Sequence, residues 1–181
     1  MIRLPLILAA LLLAAPPVLA QTDTTAEGAA TDQGGQMPKV TTDEEFIRLA
    51  TSSNLLEIRS SELAAQKAQS EEVRDFAAQM VTDHQAASEA LAQASGQSVP
   101  DPETYPPQLD PRHAELLAQL ESANAFDAAY AKLQVQAHEE AVALFTDYAT
   151  NGQEGGVKDF AEATVPKLQE HLEKAQALPQ Q

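Results

Sequence analysis

Residues 96–111 read GQSVPDPETYPPQLDP, and this stretch decides how the helices of the chain can be connected. A proline has no main-chain N–H and restrains the residue before it, so this segment cannot be one continuous helix. About 15 residues can extend to about 50 Å, whereas a helix of about 24 residues is about 36 Å long. The segment is therefore long enough to cross a whole helical bundle. A single long crossover is favoured over a simple up-down-up-down arrangement with short turns.

Helical periodicity flanks this segment on both sides. It begins at Thr42 and Asp43, which are suitable capping residues, and continues with interruptions to about Leu178. Two similar pentapeptides, VRDFA at Val73–Ala77 and VKDFA at Val157–Ala161, open the second and the last long helix in the same role. Such a repeat indicates two related helical hairpins around a pseudo-twofold axis. The predicted helices cover 43–68, 71–95, 112–121, 124–150 and 156–177.

These elements predict an all-α fold. Four long helices form a bundle, and the proline-containing crossover joins the second to the third of them. One long crossover of this kind is the arrangement of ferritin-like four-helix bundles. We assign residues 41–178 to this single bundle domain.

The first 20 residues have the organisation of a secretory signal. Arg3 gives a short positive end, Leu4 to Ala15 form an apolar run, and Val18, Leu19 and Ala20 precede a cleavage site. The following residues, 21–40, contain few large apolar side chains and are predicted to be a disordered linker. We expect no transmembrane segment in the mature protein, because the later sequence has no apolar run of about 20 residues. These features predict a soluble protein of the periplasm.

The composition excludes several kinds of chemistry. The chain has no cysteine, so it has neither disulfides nor a thiolate that could act as nucleophile or metal ligand. The formal charge of −16 becomes one unit more negative when Arg3 leaves with the signal. Such a field repels phosphate backbones, which argues against nucleic-acid binding. A metal ion or a basic protein remains a suitable partner.

Four ionisable side chains lie on or beside the apolar stripes of the predicted helices. At about 100° per residue, Glu57 and His84 fall near the centres of their stripes. His171 runs close beside its stripe, and His138 lies on the flank of another. A buried polar or charged group without a partner costs several kcal/mol, so these groups need partners in the core.

A metal site built from Glu57, His84, His138 and His171 is one way to provide such partners. Neutral imidazoles bind iron, zinc or copper, and a carboxylate lowers the net charge of a bound divalent ion. The alternative is that nearby polar side chains satisfy each histidine by ordinary hydrogen bonds. Candidates for that role are Tyr130, Tyr148, Asn54, Gln134 and Ser53. Spacing alone leaves both interpretations open.

A di-iron centre of the ferritin type is disfavoured. Such centres use Glu-x-x-His pairs on two helices, but the residues three positions before His84 and His171 are Val81 and Leu168. Asp83 is suited to orient an imidazole by accepting a hydrogen bond. The pattern nevertheless favours Asp83 as an exposed acid on the surface of its helix. His113 follows Pro111 outside any apolar stripe and is predicted to lie on the surface.

Together these residues resemble the bacterial exported domain of unknown function 4142, a ferritin-like family. The resemblance covers roughly residues 43–176. It rests on Phe46, Ala50, Asn54 and Glu57; on Val73 to Ala77 with Met80, Asp83 and His84; on Phe126, Asp127, Tyr130, Gln134 and His138; and on Phe160, Ala161, Val165, Pro166, Leu168, His171 and Leu172. It implies that Glu57, His84, His138 and His171 are the signature positions, but the family has no settled activity.

The sequence therefore predicts an exported bundle with a transition metal or another small ligand in its core. A binding protein is favoured over an enzyme. By analogy with the fold alone, a role in envelope or stress physiology is expected. Two alternatives stay open: an interaction module whose polar core is purely structural, and a metal-dependent oxidoreductase.

Overall fold

The computed structural model describes residues 39–96 and 108–179. Within these ranges all regular secondary structure is helical, in five elements. The predicted signal at 1–20 and nearly all of the predicted linker lie outside the described residues, as does the middle of the proline-rich stretch. The helices are α1 (Asp43–Lys67), α2 (Glu71–Ala94), α3 (Pro111–Glu121), α4 (Phe126–Asn151) and α5 (Gly156–Ala177).

Side chains at the helix starts account for several of these boundaries. Thr42 accepts a hydrogen bond from the main-chain N–H of Glu45, and Ser70 accepts one from that of Val73. Asp110 caps α3 in the same way, and Pro111 occupies the first turn, where its missing N–H costs nothing. The caps therefore place the starts of α1, α2 and α3 close to their predicted positions.

Contacts between the long helices give the direction of each. The ring of Phe46, near the start of α1, stacks on Tyr148, near the end of α4, with centroids 4.1 Å apart. Ser61, near the end of α1, is 2.8 Å from the hydroxyl of Tyr130, near the start of α4. The helices α1 and α4 are thus antiparallel neighbours. Because α1 and α2 form a hairpin, α2 and α4 run in the same direction.

The second pair of neighbours, α2 and α5, is also antiparallel. A Cβ atom at Gly156, the first residue of α5, would lie 2.8 Å from the main-chain oxygen of Ala94, the last residue of α2. At the other end Lys174 donates to the side chain of Gln79 over 3.1 Å. The chain must cross the length of the bundle between α2 and α4. This confirms the all-α bundle with one long crossover.

The short helix α3 belongs to this crossover and packs along α1 between Ser52 and Lys67. His113 bonds to Ser52 over 2.7 Å, and Lys67 donates to the main-chain oxygen of Glu121 over 2.7 Å. Arg112 forms an ion pair with Glu140 of α4. These contacts fix the second half of the crossover on the α1–α4 face.

The apolar core is divided into two clusters, one toward each end of the bundle. One includes Leu56, Met80 and Ala137, and the other includes Leu91, Ala141 and Leu168. On α2, α4 and α5 the boundary between the clusters coincides with a buried histidine. The bundle therefore has a polar layer between two apolar ends.

Candidate metal centre

Three buried histidines meet in this polar layer. His84, His138 and His171 come from α2, α4 and α5, and their relative exposures are 4%, 0% and 1%. Their ring centroids are 5.6, 5.5 and 5.5 Å apart, a nearly equilateral triangle. One ring nitrogen of each lies within 4.8 Å of the others. Three helices that are distant in sequence thus bring three imidazoles to one point.

Each imidazole uses its other nitrogen in a hydrogen bond to an oxygen. His84 Nδ1 is 2.7 Å from Asn54 Oδ1, and His138 Nδ1 is 2.9 Å from the main-chain oxygen of Gln134. His171 Nε2 is 2.9 Å from a carboxylate oxygen of Asp83. Because an amide oxygen, a carbonyl and a carboxylate only accept, the imidazole donates in each case. In a neutral ring the remaining nitrogen then carries the free lone pair.

The remaining nitrogens have no partner in the described part of the chain. They are His84 Nε2, His138 Nε2 and His171 Nδ1, and all three are buried. A buried acceptor without a partner costs about 1–3 kcal/mol, so these three nitrogens are the acceptors of the layer that a bound donor or ion would stabilise.

The spacing of the rings suits one small ion. An imidazole nitrogen bound at about 2.0–2.1 Å places its ring centre about 3.2 Å from the ion, so three rings evenly placed around one ion have centres about 5.2–5.5 Å apart. The observed separations of 5.5–5.6 Å match this arrangement. Nitrogens bound to one ion lie about 3.3–3.6 Å apart, so small ring rotations would complete the contact.

Glu57 is buried next to this triangle rather than within it. Its Oε1 is 3.5 Å from Nδ1 of His138, the edge of the ring that also bonds to Gln134. Its second oxygen and the side-chain oxygen of Gln134 are buried without a hydrogen-bond donor among the described residues. The four predicted residues therefore share one polar layer, in which the histidines converge and the carboxylate lies behind one of them.

Burial controls the protonation of this layer. Burial, followed by the neighbouring imidazoles, holds the pKa of His84 well below its ordinary value of 6.5. Burial also lowers the pKa of His171, against an opposing effect of Asp83. The pKa of Glu57 is raised, chiefly by burial, although His138 and Gln134 act to lower it. The neutral form of His84 and His171, which is the form that binds metals, is thus favoured at neutral pH.

The residues that orient the imidazoles were only partly predicted. Asn54 is a predicted partner, and its side-chain oxygen holds His84. Gln134 holds His138 through its main-chain oxygen and not through the predicted side chain. Asp83 was interpreted as an exposed acid, but it orients His171 from the neighbouring helix rather than its sequence neighbour His84. The sequence feature that could indicate this role is the position of Asp83, an acid directly before a histidine at the edge of a helix face.

The prediction that His113 lies on the surface is wrong. Its side chain is 12% exposed and lies 3.2 Å from the carboxylate of Asp110. It anchors the crossover through Ser52 and is not a member of the histidine triangle.

Sequence comparison identifies the family of this chain. The family described as "Domain of unknown function (DUF4142)" matches residues 26–178. The chain belongs to this family. A search of curated proteins gives no significant match.

Solved structures of CopM share the fold. The Cu(II)-bound form superposes with a TM-score of 0.60 at 20% identity, and the match covers 75% of this chain and 94% of that one. The Cu(I)-bound form gives a TM-score of 0.60 at 20% identity, covering 76% and 95%. The apo form gives 0.58 at 18% identity, covering 75% and 94%. At these identities the likeness establishes the helical architecture alone.

In the described ranges, no helix is both long and apolar enough to cross a membrane.

Proposed function

We propose that this protein is exported to the periplasm and binds one transition-metal ion in the core of the bundle. His84, His138 and His171 are the ligands, and a bound cation would favour the charged form of the buried Glu57 carboxyl behind His138. The observation that carries the proposal is the set of three unpartnered imidazole nitrogens in a nearly equilateral triangle of rings. A bound ion would satisfy all three nitrogens at once.

The donor set limits the metals that are suitable. Imidazole suits zinc, copper and iron. The chain has no cysteine, so it has no thiolate ligand that would favour softer metal ions. Copper is the first ion to test, because CopM structures with the same fold were determined with Cu(II) and Cu(I). Zinc is the second, since it readily accepts three histidines and leaves a fourth position for water or a carboxylate.

Burial of the site favours holding a metal over turning over a substrate. Glu57 and His138 are 2% and 0% exposed, so a substrate would reach the ion only after the helices separate. A protein that retains, buffers or transfers metal in the cell envelope does not need a substrate to reach the ion while the bundle is closed.

The deciding experiment is metal analysis of the protein purified from the periplasm, combined with titration of the metal-free form. Copper and zinc are added separately, with binding followed by calorimetry and, for Cu(II), by electron paramagnetic resonance. We expect one ion per chain, with nitrogen hyperfine structure from imidazoles. Each of His84→Gln, His138→Gln and His171→Gln should weaken binding at least about 10-fold.

The chain provides a matched control in its fourth histidine. His113→Gln removes an imidazole outside the triangle and should leave stoichiometry and affinity unchanged. If wild-type protein binds neither ion, or if His113→Gln weakens binding as much as the core variants, the proposal is wrong.

A structural polar core is the second candidate, since each histidine already makes one hydrogen bond to a neighbouring oxygen. In that case chelator would leave the melting temperature of the purified protein unchanged, while each core variant would lower it.

A further inference from the structure

The three hydrogen bonds that hold the imidazoles differ in their access to solvent. Asn54 is buried, and His138 bonds to the main chain of its own helix. The carboxylate of Asp83, by contrast, is 27% exposed at the surface between α2 and α5. His171 is therefore the ligand whose orienting partner reaches water, and the α2–α5 seam is the side on which the centre lies nearest to solvent.

Exposed polar contacts close this seam. Lys174 donates to Gln79, Gln79 donates to Asp83 over 3.1 Å, and the ammonium of Lys167 lies 3.9 Å from Asp83. Contacts of this kind contribute little to stability, because water replaces them readily. The opposite seam, α1–α4, is closed by the buried Ser61–Tyr130 bond and by the stacked rings of Phe46 and Tyr148.

The helix α5, which carries His171, lacks one main-chain hydrogen bond at a position five residues before that histidine. Pro166 lies inside α5, and a proline cannot donate to the carbonyl four residues earlier, that of Glu162. An interior proline also strains the preceding turn. The second half of α5, from Pro166 to Ala177, can therefore separate from α2 at a lower cost than a continuous helix.

We propose, resting on the metal site above, that ions enter and leave the centre through the α2–α5 seam. The second half of α5 opens at Pro166, and the Asp83–His171 bond is the latch. Asp83 attracts the incoming cation, which displaces the ammonium of Lys167 from its neighbourhood. In the closed state Asp83 holds His171 so that Nδ1 faces the ion. Asp83 is thus a positioning residue that controls exchange.

Two variants test the hinge and the charge of Asp83 separately. Pro166→Ala restores the missing hydrogen bond and should slow both uptake of Cu(II) and its release to a chelator at least about 10-fold. The dissociation constant should change far less, because both rates fall together. Asp83→Asn keeps an oxygen for His171 but removes the charge. It should slow uptake about 10-fold at low salt and lessen the dependence of uptake on ionic strength.

Matched controls have the same chemical change elsewhere. Asp75→Asn removes an exposed charge from α2 at a distance from the latch, and Pro111→Ala replaces a proline in a first helical turn, where no hydrogen bond is restored. Both should exchange metal at wild-type rates. Equal slowing in a control, or exchange rates in Pro166→Ala that match wild type, would overturn the proposal.

Hydrogen exchange of the metal-free protein tests the hinge without any ion. Amides of α5 after Pro166 should exchange faster than those of α4, and Pro166→Ala should reduce the difference. Uniform protection of α4 and α5 would reject the opening, even if metal binds. If no metal binds but the exchange pattern is as expected, the metal site fails while the hinge stands.

Discussion

The Glu57–His138 pair should make the metal-free protein less stable than it could be. Both side chains are buried, and both have an atom without a partner, Glu57 Oε2 and His138 Nε2. The double variant Glu57→Gln/His138→Leu replaces this pair by a neutral amide and an apolar side chain of similar size. In the absence of metal we expect this variant to unfold at a higher temperature than the wild type.

The size of the effect follows from the groups that are lost. His138→Leu removes one unpartnered buried atom, and Glu57→Gln replaces an unpartnered carboxylate oxygen by a neutral amide that is less costly to bury; each change gains about 1–3 kcal/mol. The substitution also loses the bond from His138 to the oxygen of Gln134, which is worth about 1 kcal/mol. The net gain is therefore about 1–5 kcal/mol. For a domain of this size each kcal/mol raises the melting temperature by about 4 °C.

The assay is a pair of thermal melts, one in chelator and one with excess copper or zinc. In chelator the double variant should melt above the wild type. With free metal at about 100 times the dissociation constant, the free energy of unfolding of the wild type should rise by about 2.7 kcal/mol and that of the variant should not change. The difference between the two melting temperatures should then become smaller or change sign. If the variant melts below the wild type in chelator, the pair is part of the structural framework and the reasoning is refuted.

Three further predictions concern acid stability, the packing beside the centre and export. Because the pKa values of His84 and His171 are lower in the folded protein, the unfolded chain takes up more protons as the pH falls through about 6.5. The raised pKa of Glu57 acts in the opposite sense, so the test uses the Glu57→Gln variant: urea melts in chelator should show a lower free energy of unfolding at pH 5.5 than at pH 8, and equal values would contradict this. Tyr130→Phe leaves Ser61 without its partner and should cost about 1–3 kcal/mol, whereas adding Ser61→Ala should restore part of that loss in a double-mutant cycle; additive losses would show that the two hydroxyls do not interact. N-terminal sequencing of the exported protein should begin at Gln21, and the presence of Arg3 would rule out cleavage there.

Local chemistry explains why the helices could be predicted closely. Thr42 and Ser70 bond to main-chain N–H groups, so the helix starts are encoded in single side chains. The start of α4 lies at Phe126 instead of the predicted 124, and no side chain caps it. The start of α5 at Gly156 is also as predicted, although no side chain caps it, so caps explain the starts of α1 and α2 but not every boundary.

The site could be predicted only as far as helical angles allow. The angle of His84 on its stripe predicts that it faces the core, but not which nitrogen is free, because that depends on Asn54 of another helix. Asp83 and His113 were misjudged for the same reason, since their partners, His171 and Ser52, are 88 and 61 residues away in sequence. Contacts across such separations depend on how helices dock, which periodicity does not specify.

The crossover has a consequence for the order in which the protein assembles. The α1–α2 hairpin contributes His84 and its holder Asn54, and the α4–α5 hairpin contributes His138 and His171. Each hairpin is stabilised by contacts between nearby residues and can form early, whereas docking across a long connection is slower. No half of the chain contains the complete triangle, so the centre exists only after the hairpins have docked. An ion captured there would bind mature protein in preference to folding intermediates, and would fasten the two halves together.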